Sequence, residues 1–227
     1  MLQKLLSLFQ SDKKKSSSQK PQTDKKPRPK KPKVEAARIG ELGEHKINIQ
    51  LDQLPKDCRY LSDIMLPNKK ARSGYSQIDH AIISPYGLFV IETKNYAGEI
   101  KGGRSDKKWT VSNRYTMYNP LLQNYGHVKA LEGFLGEFPS LFSMVSFTMR
   151  CRFGIDPELR KIESNELVVY DVELSEYVVR KCNRLKATSS EPVLTEAQIQ
   201  RIYEIVEAAN ITDPAIRAAH VEGIKKS

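Results

Sequence analysis

Two short segments constrain this chain more than any other feature. Gln77–Ile83 and Leu88–Asn95 are rich in β-branched and other apolar residues, and only Ser84-Pro85-Tyr86-Gly87 lies between them. Pro and Gly stand where a type I turn favours them, so the pair reads as an antiparallel hairpin. Side chains alternate along a strand, which puts Leu88, Val90, Glu92 and Lys94 on one face and Phe89, Ile91 and Thr93 on the other. If Ile83 faces Leu88 across the turn, Asp79 falls opposite Glu92. Opposed residues have Cβ atoms roughly 4.5–5.5 Å apart, and like charges placed so are destabilising unless compensated. Ile78, Ala81, Ile82, Ile83, Leu88 and Val90 make the hairpin largely buried, so a merely solvated Glu92–Lys94 pair is the weaker account.

A divalent cation would supply the compensation. Oxygen donors with no His or Cys on the same face suit a hard ion, Mg²⁺ or Mn²⁺, which keeps waters and accepts phosphate oxygens. Such an ion neutralises a scissile phosphate and lowers the pKa of its water, while a neighbouring amine orients the attacking water and stabilises developing charge. The spacing therefore predicts metal-dependent phosphodiester hydrolysis, with Asp79 and Glu92 as metal ligands and Lys94 as the catalytic amine. His80 points to the opposite strand face and His127 lies in a helix; both read as structural.

The rest of the chain supplies a mixed α/β frame. Ala36–Leu54, stopped by Pro55, reads as a first helix carrying Glu41 and Glu44 one turn apart. Tyr60–Leu66 reads as a strand and Asn68–Ser76 as a loop. Ala97–Trp109 suggests a turn and a short strand. Leu121–Phe138 reads as a second helix, with Leu122, Tyr125, Val128 and Leu131 as its apolar face. Ser143–Phe153 and Glu166–Tyr170 read as strands, then Leu174–Leu185 and Thr195–Ala209 as helices, the last capped by Thr195. This order predicts an α+β fold whose mixed sheet is flanked by helices, with extra helices at the C-terminus. Tyr75, Tyr96 and Trp109, with basic residues Lys69, Lys70, Arg72, Lys101, Arg104, Lys107 and Lys108 nearby, form a candidate rim for a DNA backbone and unstacked bases.

The net charge of +10 says little about that frame. Of the 37 Lys and Arg, 11 lie in residues 1–34 beside two Asp, so this segment holds +9 of the total. It is Lys-, Ser- and Pro-rich, too poor in apolar groups to offset its ordering entropy, and is expected to be a disordered tail ahead of a folded domain at 35–227. Leu2, Leu5, Leu6 and Phe9 begin it with a short amphipathic stretch. With the lysines, that stretch offers an alternative role as an adaptor recruited to an anionic membrane surface. The three cysteines suggest neither a zinc site nor a disulfide framework. No run approaches the roughly 18 apolar residues of a membrane span, and a cytoplasmic, peripheral location is expected.

The motifs together carry a resemblance. Gly40-x-x-Gly43-Glu44, Gln77-Ile78-Asp79-His80, Gly87-Leu88-Phe89-Val90-Ile91-Glu92-Thr93-Lys94-Asn95-Tyr96-x-Gly98, Trp109 and Asn119-Pro120-x-x-Gln123 resemble the nuclease-related domain, NERD, over residues 38–135. That family is similar to the PD-(D/E)XK nucleases, so the resemblance implies a restriction-endonuclease-like core of helix, three antiparallel strands, helix and strand. Residues 136–227 would be a C-terminal α/β extension. It further implies that Asp79 and Glu92 bind metal, that Lys94 is the catalytic lysine, and that Glu44, with Glu41 as competitor, is a supporting acid. Gln123 and Gln77 would assist or contact DNA. The superfamily's usual proline before the aspartate is Ile78 here. A DNA-binding module of the same fold with little turnover is the alternative function.

Overall fold

The structure is a computed structural model that describes residues 45–136, 140–189 and 191–225. The expectations for segment 1–34 and for Glu41 and Glu44 fall outside the described residues.

The first helix, α1 (residues 45–51), buries Ile47 and Leu51. It stops short of the expected Leu54, because Gln53 N bonds Gln50 O at 3.2 Å and Leu54 N bonds Leu51 O at 3.1 Å. Bonds of that short reach tighten a last helical turn, here just before Pro55. Then come β1 (Arg59–Pro67), β2 (Tyr75–Ser84) and β3 (Gly87–Lys94), all antiparallel. The β2–β3 register pairs Ile83 with Leu88 and His80 with Ile91, as the short turn predicts. Gly87 is required at that turn: its φ is +140°, and a Cβ there would sit 2.5 Å from the Ser140 carbonyl oxygen.

Beyond the hairpin the chain forms more elements than its periodicity predicts. After β4 (Gly98–Gly102) and β5 (Lys108–Val111), a further strand β6 (Tyr115–Tyr118) precedes α2 (Pro120–Leu135). The expected long strand from Ser143 is two, β7 (Leu141–Phe147) and β8 (Cys151–Ile155). The chain continues through β9 (Glu166–Tyr170), α3 (Leu174–Thr188), α4 (Glu196–Ala209) and α5 (Pro214–Lys225), the last of which was not foreseen as an element.

Nine strands form two sheets among the described residues, ordered β1-β2-β3-β7-β9 and β6-β5-β4-β8. β3 runs parallel to β7, and their continuations β4 and β8 are parallel again. The joint between the sheets is held by Thr148 N donating to Lys94 O at 3.0 Å and Gly98 N donating to Arg150 O at 3.2 Å. Helices cover both faces of the larger sheet. Phe89, Ile91 and Met144 pack with α1 and α3 residues, whereas Leu88, Val90 and Ala81 pack with Leu131 of α2 and Ile199, Ile202 and Val206 of α4. Thr195 caps α4, its hydroxyl accepting from Gln198 N at 3.3 Å. Thr195→Ala is expected to cost about 1 kcal/mol, read as a lower urea midpoint.

The buried face of α2 keeps the expected Val128 and Leu131 but not the other two residues. Leu122 and Tyr125 are 38% and 54% exposed, and the helix turns Leu121, Asn124 and Leu131 inward. Asn124 decides this, because its amide donates to Val90 O and Ser143 Oγ, both at 2.8 Å, and to Met144 O at 3.3 Å. A search for apolar periodicity cannot find a buried amide whose partners are backbone groups of two distant strands. That anchoring presents the adjoining turns of α2 to the end of β3.

Candidate active site

Asp79, Glu92, Lys94 and Gln123 meet where β2 and β3 part company. The ladder between the strands ends at His80–Ile91, and the next residue on β2 turns its carboxylate into the gap. Asp79 Oδ2 accepts from both the amide and the hydroxyl of Thr93 at 2.7 Å. Thr93 belongs to the other strand face by alternation, so this bond reflects the divergence of the two strands.

Glu92 and Lys94, two apart on β3, stay on one face as expected, and Lys94 Nζ donates to Glu92 Oε1 at 2.6 Å. Gln123 joins them from α2: its carbonyl accepts from Lys94 Nζ at 2.9 Å and its amide donates to Glu92 Oε1 at 2.8 Å. One helical turn on, His127 Nε2 lies 3.2 Å from Glu92 Oε2, off the line of a good hydrogen bond. His127 thus stands at the site, although its sequence position suggested only a structural part. The signal was its four-residue spacing from Gln123, which places both on one helix face.

Gln77 turns to Asp63, donating at 2.8 Å, and also lines the cleft. His80 is buried on the far side, with Nδ1 2.9 Å from Ser62 Oγ, and burial pulls its pKa down to about 4. The expected rim needs correction. Trp109 is fully buried, donating from Nε1 to Gly103 O at 2.9 Å and stacked 6.5 Å from Phe147, so it stands in the core of the second sheet. Tyr96 packs against that same core. Arg104 is paired to Glu166 at 3.0 Å and Lys101 to Glu99 at 3.0 Å. The exposed aromatic groups near the site are instead Tyr118 and Tyr125, 49% and 54% exposed.

The two carboxylates have opposite electrostatics. Burial, and then the Glu92 charge, raise the Asp79 carboxyl to about 6. Burial also pushes Glu92 up, but the His127 imidazole and the Lys94 ammonium outweigh it and hold Glu92 below its ordinary value. A carboxyl whose folded pKa is raised stabilises the protein at low pH, and loses that contribution as pH climbs through the folded value. Metal-free protein is therefore expected to lose on the order of 2 kcal/mol at this residue between about pH 4 and about pH 7. Asp79→Asn should flatten that slope in urea midpoints measured across the range.

Among the described residues no three His, Cys, Asp or Glu side chains group as metal ligands. The donor set offered to a cation is two oxygen-bearing carboxylates, which suits Mg²⁺, an ion commonly held by one or two carboxylates plus waters and phosphate oxygens. These groups form the floor of a cleft of about 900 Å³, flanked by Ala71, Ser73 and Tyr75, by Tyr118 and His127, and by His220 and Gly223 of α5. No signal in the sequence pointed to Tyr118 or His220.

The fold is a mixed α+β one, with an Asp and a Glu-x-Lys at the end of a hairpin. The chain carries a nuclease-related domain, NERD, whose family model matches residues 39–148. An uncharacterized protein of Bacillus anthracis is 29% identical over 187 residues, which is 81% of this chain and 82% of that protein. Among solved structures, a protein of Vibrio cholerae aligns over 64% of this chain at 15% identity and a TM-score of 0.35. SfsA of Pyrococcus furiosus, solved in complex with Ca²⁺, aligns over 65% at 17% identity and a TM-score of 0.26. The alignments span 33% and 53% of those two chains. No described helix is long and apolar enough to cross a membrane.

Proposed function

We propose that this protein is a metal-dependent nuclease that hydrolyses DNA phosphodiester bonds. The observation that carries the reading is the convergence of Asp79, Glu92 and Gln123 on the lining of one cleft, with Lys94 bonded to the last two. Asp79 and Glu92 would hold Mg²⁺ or Mn²⁺, which when bound neutralises phosphate charge and activates water. Lys94, held at 2.6 Å by Glu92 and at 2.9 Å by Gln123, directs an ammonium donor at charge developing on the phosphate. Gln123 fixes both partners, so the amine is oriented before substrate arrives. Glu44, two residues ahead of Lys46 in the chain, is proposed as an added acid.

A second reading draws on one specific observation. Glu92 Oε1 already accepts two hydrogen bonds, and Oε2 faces His127, so a cation must compete with these neighbours. A chain in which the neighbours win would bind DNA without turnover. Plasmid and oligonucleotide cleavage, with and without Mg²⁺ or Mn²⁺, separates the two readings. Cleavage lost in Asp79→Ala and Lys94→Ala supports the nuclease; binding without any cleavage by wild type supports the module. The basic N-terminal segment is proposed to add non-specific affinity for DNA or for anionic lipid. Pelleting with vesicles, unchanged on removing residues 1–34, would end the lipid role.

A further inference from the structure

The C-terminal helix α5 lies outside the matched domain yet lines the cleft. It is fastened to the middle of β1 and to the turn between β1 and β2. Arg217 donates to Asp63 Oδ2 at 2.6 Å, to Asp63 O at 2.8 Å and to Ile211 O at 2.7 Å. His220 Nδ1 lies 2.9 Å from Ser73 Oγ, and its ring meets Tyr75 edge-on at 6.4 Å. The linker before α5 extends the clamp, with Ile211 N donating to Met65 O at 2.9 Å and Asn210 Oδ1 accepting from Met65 N at 2.8 Å. Such a set of bonds fixes α5 as a wall of the cleft.

The reacting groups are recessed behind that wall. The side chains of Glu92 and Lys94 are 5% and 16% exposed. Volumes of roughly 300–1,000 Å³ are those of small-ligand pockets, and the cleft's 900 Å³ leaves room for a few unpaired nucleotides. A duplex, whose major groove alone is about 12 Å across, brings far more bulk to such a cleft than one unpaired strand does. A second groove of about 870 Å³ continues from the first between the 68–71 loop and α2, with Lys70 and Lys129 along it. Gly126 and Gly133 on α2 add no bulk to this groove, since a Cβ on either would meet nothing within 4 Å. Tyr118 at the cleft and Tyr125 on the groove are exposed aromatic residues, the second with Lys129 Nζ 5.7 Å from its ring centre, and rings of this kind offer unpaired bases a stacking surface. We propose that the cleft and groove take one unpaired DNA strand, and that α5 is the wall that keeps a duplex from the site. The chemistry of this inference rests on the nuclease reading; its geometry does not.

Gly223 supplies the test, because it lines the cleft and a Cβ there meets nothing within 4 Å. Gly223→Trp adds bulk at the lining of the cleft, at a position where a Cβ itself meets no neighbour. The full chain is given a labelled single strand and the blunt duplex of the same sequence, in Mg²⁺ or Mn²⁺. Binding to both is read by fluorescence anisotropy, at salt high enough to screen the basic N-terminal segment. Wild type is expected to cut the single strand at least about tenfold faster than the duplex, and Gly223→Trp to lose roughly tenfold in single-strand cleavage and binding with its melting temperature kept. Arg217→Ala, which loosens α5, should narrow the gap between the two DNAs. Equal rates on both DNAs, or unaltered binding and cleavage by Gly223→Trp, would overturn the inference. If wild type cuts neither DNA, the nuclease reading falls and binding decides: single-strand affinity lost in Gly223→Trp sustains the cleft, and affinity retained removes it.

Discussion

Metal-dependent cleavage by the Lys94→Ala protein is expected to fall roughly 100- to 1,000-fold below wild type, the loss that follows removal of one preorganised charge-stabilising donor. The expectation comes from how completely this amine is oriented. It is half-buried, and its two bonds hold it against Glu92 and Gln123, both of which line the cleft with Asp79. Stability should change little by comparison, because Glu92 keeps its bond from the Gln123 amide. Rates are to be measured under single-turnover conditions, with DNA binding recorded alongside. Affinity retained while rate collapses places Lys94 in the chemical step. Unchanged cleavage would show that the activity lies elsewhere or in a contaminant.

Trp109→Ala is expected to lower stability by about 3–5 kcal/mol, the range for emptying a large aromatic site in a core. Trp109 is fully buried in the second sheet, and Gly102 is shaped around it: a Cβ at Gly102 would lie 2.1 Å from the indole Cδ1. Collapse around the vacancy is hindered by Phe147 and by the Gly103 carbonyl that accepts the indole bond. Urea denaturation with an unchanged slope would measure the loss. A Trp109→Ala protein of wild-type stability but weak DNA affinity would restore the surface role that its sequence context first suggested.

The two substitutions separate what is local from what is not. Lys94 was legible because a hairpin with a two-residue link has few registers, and alternation then fixes which side chains share a face. The same rule placed Asp79 near Glu92, although the ladder ends one pair earlier and Thr93 takes the Asp79 carboxylate. Trp109 was misread because exposure of an aromatic residue is not written in its neighbours; it depends on which sheet folds over it. On α2, Leu122 and Tyr125 turn outward for a related reason, since Asn124 reaches Val90, Ser143 and Met144 across strands far away in sequence.

By itself, then, the sequence determined the hairpin, its register, the Glu-x-Lys pair on one face and the order of most helices and strands. These follow from short-range periodicity and turn chemistry, which act over a few residues. Only the tertiary structure decided that His127 faces Glu92, that β7 stays in the larger sheet while β8 joins a second, and that α5 lines one side of the cleft. Those outcomes depend on contacts between distant segments, such as Arg217 with Asp63, whose partners are named by packing and not by spacing along the chain.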